Sequence, residues 1–86
     1  MTAPGTARVR LYAKPGCHLC DDARAVIEQV CAELGECYEE VDITTGADSE
    51  RLMRDFGEEI PVTFVDGRQH DFWRVDATRL RAALAR

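Results

Sequence analysis

Lys14-Pro15-Gly16-Cys17-His18-Leu19-Cys20 is the stretch that decides the fold. Before it, Arg8-Val9-Arg10-Leu11-Tyr12-Ala13 alternates polar and apolar residues with β-branched and aromatic content, which reads as a strand. Lys14-Pro15-Gly16 stops that strand. After it, Cys20, Ala23, Ile27, Val30 and Leu34 recur at steps of three and four. They form one apolar face of a helix over 17–34, and Gly35 stands where a C-terminal cap glycine belongs. The two cysteines therefore lie at a strand-to-helix junction, with Cys17 at the N-cap.

That position carries more information than the C-x-x-C spacing. Unpaired N–H groups of a first helical turn point toward a sulfur at the N-cap, and the helix dipole adds partial positive charge. Both favour thiolate over thiol. Cys20 lies one turn further along the same face, within reach of a disulfide. A nucleophile beside a resolving thiol is what dithiol–disulfide exchange needs. His18 stands either as support for the Cys17 thiolate or as an exposed first-turn residue. Asp21 and Asp22 suit a helix N-terminus, and they also oppose a nearby thiolate.

Further out, Cys37–Ile43 alternates again as a second strand, with Cys37, Val41 and Ile43 on one face. Thr44–Asp48 is turn chemistry. Asp48 or Ser49 is expected to cap a short helix through Phe56, with Leu52, Met53 and Phe56 inward and Gly57 at its end. Ile60–Val65 is a strand opening with a proline, and Asp66-Gly67 turns it back through Arg68–Phe72 as a hairpin. Asp76 caps a last helix that turns Leu80, Ala83 and Leu84 inward. The order is βαβαββα. A right-handed crossover makes the first two strands parallel, and the hairpin makes the last two antiparallel. The class is α/β, with a four-stranded mixed sheet and three helices.

Eighty-six residues make one domain, with residues 1–7 expected to be a mobile tail and 8–86 the folded unit. Sixteen acidic against eleven basic residues leave a net charge of −5, which argues against binding nucleic acid or an anionic membrane surface. No apolar run resembles a signal peptide or the roughly 20 residues of a membrane span, so a cytoplasmic, reducing setting is expected. Four cysteines there point to catalysis or metal. One zinc ion cannot join them, because Cys31 lies about 16 Å along the helix from Cys20. Cys31 and Cys37 are expected to be buried small hydrophobes. His70 is expected to face solvent, and Trp73 to pack between the sheet edge and the last helix, with a place on the rim of a substrate groove as the lesser reading.

The Cys17-His18-Leu19-Cys20 motif, its acidic sequel and Ile60-Pro61-Val62 together resemble the glutaredoxins. They are closest to small bacterial glutaredoxin-like proteins of the thioredoxin fold. The resemblance runs from Arg8 to Leu84. It implies that Cys17 attacks and Cys20 resolves. It also implies that Pro61 is cis and lies beside Cys17, and that the Ile60 backbone bonds a substrate strand. Lys14 matches the basic residue three positions before the nucleophile, and Asp76 the acid before the last helix. With His18 these form the expected substrate-binding set. The implied activity is a thiol–disulfide oxidoreductase working in cell redox homeostasis, a monomer with no organic cofactor and no metal. Its partners would be a disulfide-bearing protein or low-molecular-weight thiol and an electron-donating reductase or thiol.

The sequence departs from the family pattern at two places. His18-Leu19 replaces the usual Pro-Tyr between the cysteines. The glycine pair that holds the glutathione backbone gives way to Phe72-Trp73-Arg74, so glutathione is expected to be a poor reductant. The alternative reading is a non-catalytic thioredoxin-fold module that holds an extended peptide at Ile60-Pro61.

Overall fold

A computed structural model describes residues 7–85. The expected tail, apart from Ala7, lies outside the described residues. The elements run β1 (Val9–Ala13), α1 (His18–Leu34), β2 (Tyr38–Asp42), α2 (Ser49–Phe56), β3 (Val62–Val65), β4 (Arg68–Phe72) and α3 (Ala77–Leu84). This is the expected βαβαββα order. The strands form one mixed sheet in the order β2-β1-β3-β4. β1 is parallel to β2 and antiparallel to β3, which is antiparallel to β4. The Asp66-Gly67 hairpin has positive φ at both residues, 52° and 81°, as a type I′ turn demands.

Alternation along β1 gives the sheet two unlike faces. Val9, Leu11 and Ala13 are buried on one, where the core continues through Cys20, Ala23, Ile27 and Val30 of α1 and Leu80 and Leu84 of α3. Tyr12 points the other way and packs against Phe56 of α2 and Phe64 of β3, with ring centroids 5.0 and 5.5 Å away. The helix layers are tied by side chains as well. Arg81 of α3 reaches Glu33 of α1 with two hydrogen bonds, and Arg8 bonds Asp66, Glu36 and the Leu84 carbonyl together.

Register fixes what meets at the working end of the sheet. Val41, Tyr12, Val62 and Phe72 lie in one row across the four strands. One step further along the strands Ala13 pairs with Asp42, and Pro61 and Trp73 adjoin the ends of β3 and β4. The Trp73 N–H donates to the Pro61 carbonyl at 2.7 Å. The loop carrying Cys17 leaves the sheet at this same end.

Several expectations are corrected. Cys37 is exposed rather than buried, because β2 begins at Tyr38 and Cys37 belongs to the turn after Gly35. Leu34, in the last turn of α1, and Met53 are exposed too. In an eight-residue α2, Leu52 and Phe56 at i and i+4 set the inward face, and Met53 falls about 100° away from Leu52. The Asp48 side chain makes no cap hydrogen bond. β3 starts at Val62, two residues later than expected, since Pro61 has no N–H for the ladder. His70 was expected to face solvent, yet its side chain is only 13% exposed. Thr63 pairs with Asp71 but Phe64 with Gln69, so His70 is the extra residue of a β-bulge. A bulge of this kind re-aims its side chain.

Candidate active site

Gly16, at φ 73°, turns the chain out of the sheet so that Cys17 can begin α1. Cys17 is the N-cap in extended geometry, and its Sγ accepts a hydrogen bond from the Cys20 N–H at 3.1 Å. This is the bond that a serine or aspartate oxygen makes at an ordinary N-cap, here made to sulfur. Cys17 is partly exposed, while Cys20 is fully buried. Burial pushes the Cys20 thiol up to about 11. Its hydrogen bond with Cys17 acts the same way, against smaller opposing effects of the Lys14 backbone and Arg24. The two sulfurs are thus unlike. One is partly exposed and accepts a single backbone N–H, and the other is buried as a neutral thiol.

Lys14 and His18 flank Cys17 and are exposed. Pro61 is brought to this end by register, and the Ile60–Pro61 bond is cis, as the family resemblance implied. The Ile60 N–H donates to the Phe56 carbonyl at 3.1 Å, so it is already engaged within the chain. Asp76 belongs to the corner between β4 and α3. Its carboxylate accepts from the Arg79 N–H at 3.1 Å as the N-cap of α3. Cys31 is buried at the far end of α1, where burial raises its thiol. Gly35, at φ 68°, closes that end by donating its N–H to the Cys31 carbonyl. Among the described residues no three His, Cys, Asp or Glu side chains gather as a group that could hold a metal ion.

Trp73 is where sequence reasoning went astray. It is 51% exposed instead of packed under α3. Its φ is +64°, a left-handed conformation that bulky residues rarely adopt. Its amide donates to the carbonyls of Pro61 and Glu59, and its indole Nε1–H donates to the Glu58 carbonyl at 3.0 Å. Phe72, itself 49% exposed, meets it edge to face with centroids 5.0 Å apart. A left-handed tryptophan leaves no local trace in a sequence. The available signal was negative: an apolar pair beside the cis-proline segment, where the resembling family has glycines.

Comparison with known proteins agrees with this geometry. Residues 8–85 match the family described as a glutaredoxin-like domain (DUF836). An uncharacterised protein of Mycobacterium tuberculosis is 35% identical over 81 residues, covering 92% of this chain and 84% of its own length. The X-ray structure of a structural-genomics target from X. campestris is also 35% identical, with a TM-score of 0.71 over 90% of this chain and 95% of that one. A glutaredoxin from Archaeoglobus fulgidus shares the fold alone, with 15% identity and a TM-score of 0.65 over 93% and 88% of the two chains. From the cysteine-capped helix, the cis-proline and this family match together, the chain belongs to the glutaredoxin-like (DUF836) family and has the thioredoxin-like fold.

Proposed function

We propose that this protein is a dithiol thiol–disulfide oxidoreductase in which Cys17 is the nucleophile and Cys20 the resolving thiol. The observation that carries the reading is the contrast between them. Cys17 is partly exposed and its Sγ receives the Cys20 N–H at the start of α1, whereas Cys20 is buried one turn behind it.

In the first step the Cys17 thiolate attacks a substrate disulfide. A Cys17–substrate disulfide forms and the first substrate thiolate leaves. Cys20 then gives up its proton and attacks the Cys17 sulfur. The second substrate thiolate leaves, and a Cys17–Cys20 disulfide remains. Two electrons have passed from the dithiol to the substrate, and an external thiol or reductase returns them. None of these steps calls for a metal or an organic cofactor. Lys14, with its exposed ammonium beside Cys17, and the Ile60 carbonyl beside Pro61 are the groups that would orient a substrate strand. The partners are a disulfide-bearing protein or low-molecular-weight thiol and an electron donor, and the setting is a reducing cytoplasm. No helix among the described residues is long and apolar enough to cross a membrane.

The test uses the reduced protein and bis(2-hydroxyethyl) disulfide in a single turnover. Each protein molecule is expected to release two molecules of mercaptoethanol and to yield a peptide map linking Cys17 to Cys20. Absence of thiol release would return the chain to the peptide-binding alternative.

A further inference from the structure

The aromatic pair at the end of β4 has no role in the exchange steps, yet it is held there at a cost. A non-glycine residue at positive φ is disfavoured, and such strain persists only where its surroundings fix it. Here three hydrogen bonds do so, from the Trp73 amide to Pro61 and Glu59 and from the indole to Glu58. The result is a pair of half-exposed rings placed, by register, next to Pro61 at the thiol end of the sheet.

These rings wall an open cleft of about 520 Å³ lined by His70, Asp71, Phe72, Trp73, Arg74 and Arg79. Asp71 is engaged by Arg79, and Arg74 makes no ion pair among the described residues. Two guanidinium groups against one carboxylate leave a positive surplus on a protein whose net charge is −5. Such a place fits an apolar ring with an acid beside it. β4 lies two strands from β1, the strand whose end leads into the Cys17 loop, or about 10 Å at the usual strand spacing, which three residues of extended chain cover.

Building on the exchange reading above, we infer that Phe72, Trp73 and Arg74 form a specificity subsite for a protein substrate. It takes an aromatic side chain and a neighbouring carboxylate about three residues from the disulfide cysteine. The rings supply an edge-or-face contact for the aromatic group, and Arg74 supplies a charge-assisted hydrogen bond to the acid.

The experiment measures kcat/KM for two synthetic peptides, each carrying one cysteine in a mixed disulfide with mercaptoethanol. One has Phe-Asp three residues to either side of the cysteine, and the other has Ala-Lys at the same places. The wild-type protein is expected to favour the Phe-Asp peptide about tenfold, the equivalent of one aromatic contact with a partly screened charge pair. Trp73→Gly suits the positive φ while removing the ring, and should bring the ratio down toward one. Arg74→Glu, at an exposed position, should cut the preference, because the charge contribution changes sign while the ring contact remains. Equal rates for the two peptides in the wild type, or a preference that survives both substitutions, would overturn the subsite. Bis(2-hydroxyethyl) disulfide, which has neither a ring nor a charge, separates the two levels. If the wild type reduces it without discriminating the peptides, the subsite alone is wrong. If the wild type fails to reduce it, the assignment of Cys17 and Cys20 is wrong and the subsite falls with it.

Discussion

Cys17→Ser is expected to reduce disulfide turnover to the uncatalysed background, whereas Cys20→Ser should make the first attack and stall as a mixed disulfide. The difference follows from the placement of the sulfurs. Only Cys17 is both accessible and bonded to a first-turn N–H. Cys20 has no exposed surface from which to meet a bulky substrate. Its own step carries a pH signature. With the Cys20 thiol pushed up to about 11 by burial, its thiolate fraction grows about tenfold for each pH unit through the neutral range. The wild-type mixed disulfide should therefore shorten its life about tenfold between pH 7 and pH 8, provided the attacking thiolate limits resolution. The Cys20→Ser adduct should show no such dependence. Intact-mass time courses with a peptide disulfide read both effects. Equal mixed-disulfide yields from the two serine variants would contradict the assignment.

Glutathione is expected to sustain turnover roughly tenfold to a hundredfold more slowly than a donor that does not depend on a backbone cradle, such as thioredoxin reductase or another low-molecular-weight thiol. The resemblance to glutaredoxins puts that cradle at Trp73-Arg74, and here its donors are used up. The Trp73 N–H bonds Pro61 and Glu59, the Arg74 N–H bonds the Phe72 carbonyl at 2.8 Å, and the Ile60 N–H bonds Phe56. One or two hydrogen bonds lost to a ligand cost about 1–3 kcal/mol, which gives the stated range. Coupled assays with glutathione and its reductase, run against the other donors at matched thiol concentration, measure the ratio. Rates with glutathione equal to those with the other donors would show that side chains at this corner replace the missing backbone contacts.

Much of this architecture could be read from sequence because its signals are local. The alternation in Arg8–Ala13, the three-and-four spacing from Cys20 to Val30 and the Asp66-Gly67 turn each depend on a few adjacent residues. Each appears where it was expected. The thiol pair was legible for the same reason, since a cysteine at an N-cap is defined by the helix that follows it. What could not be read was set by contacts distant in sequence. The bulge that turns His70 inward depends on how β4 pairs with Thr63 and Phe64. The left-handed Trp73 depends on carbonyls of Glu58, Glu59 and Pro61. Cys37 falls outside its expected alternation because of where the α1 cap ends. The corner beside Pro61, where Trp73 was misread, is also where the chain departs most from the family it resembles.

The central claim is that the start of α1 makes Cys17 a nucleophile, and the chain carries its own control. Cys37, also solvent-accessible, follows the C-terminal end of the same helix rather than capping its start. Both thiols can be alkylated in one tube with limiting iodoacetamide at pH 7, and the labelled peptides counted as a function of time. Cys17 is predicted to react about tenfold faster than Cys37, or more, while Cys20 stays unlabelled in its buried position. Labelling of Cys37 at the same rate as Cys17, or ahead of it, would contradict the account.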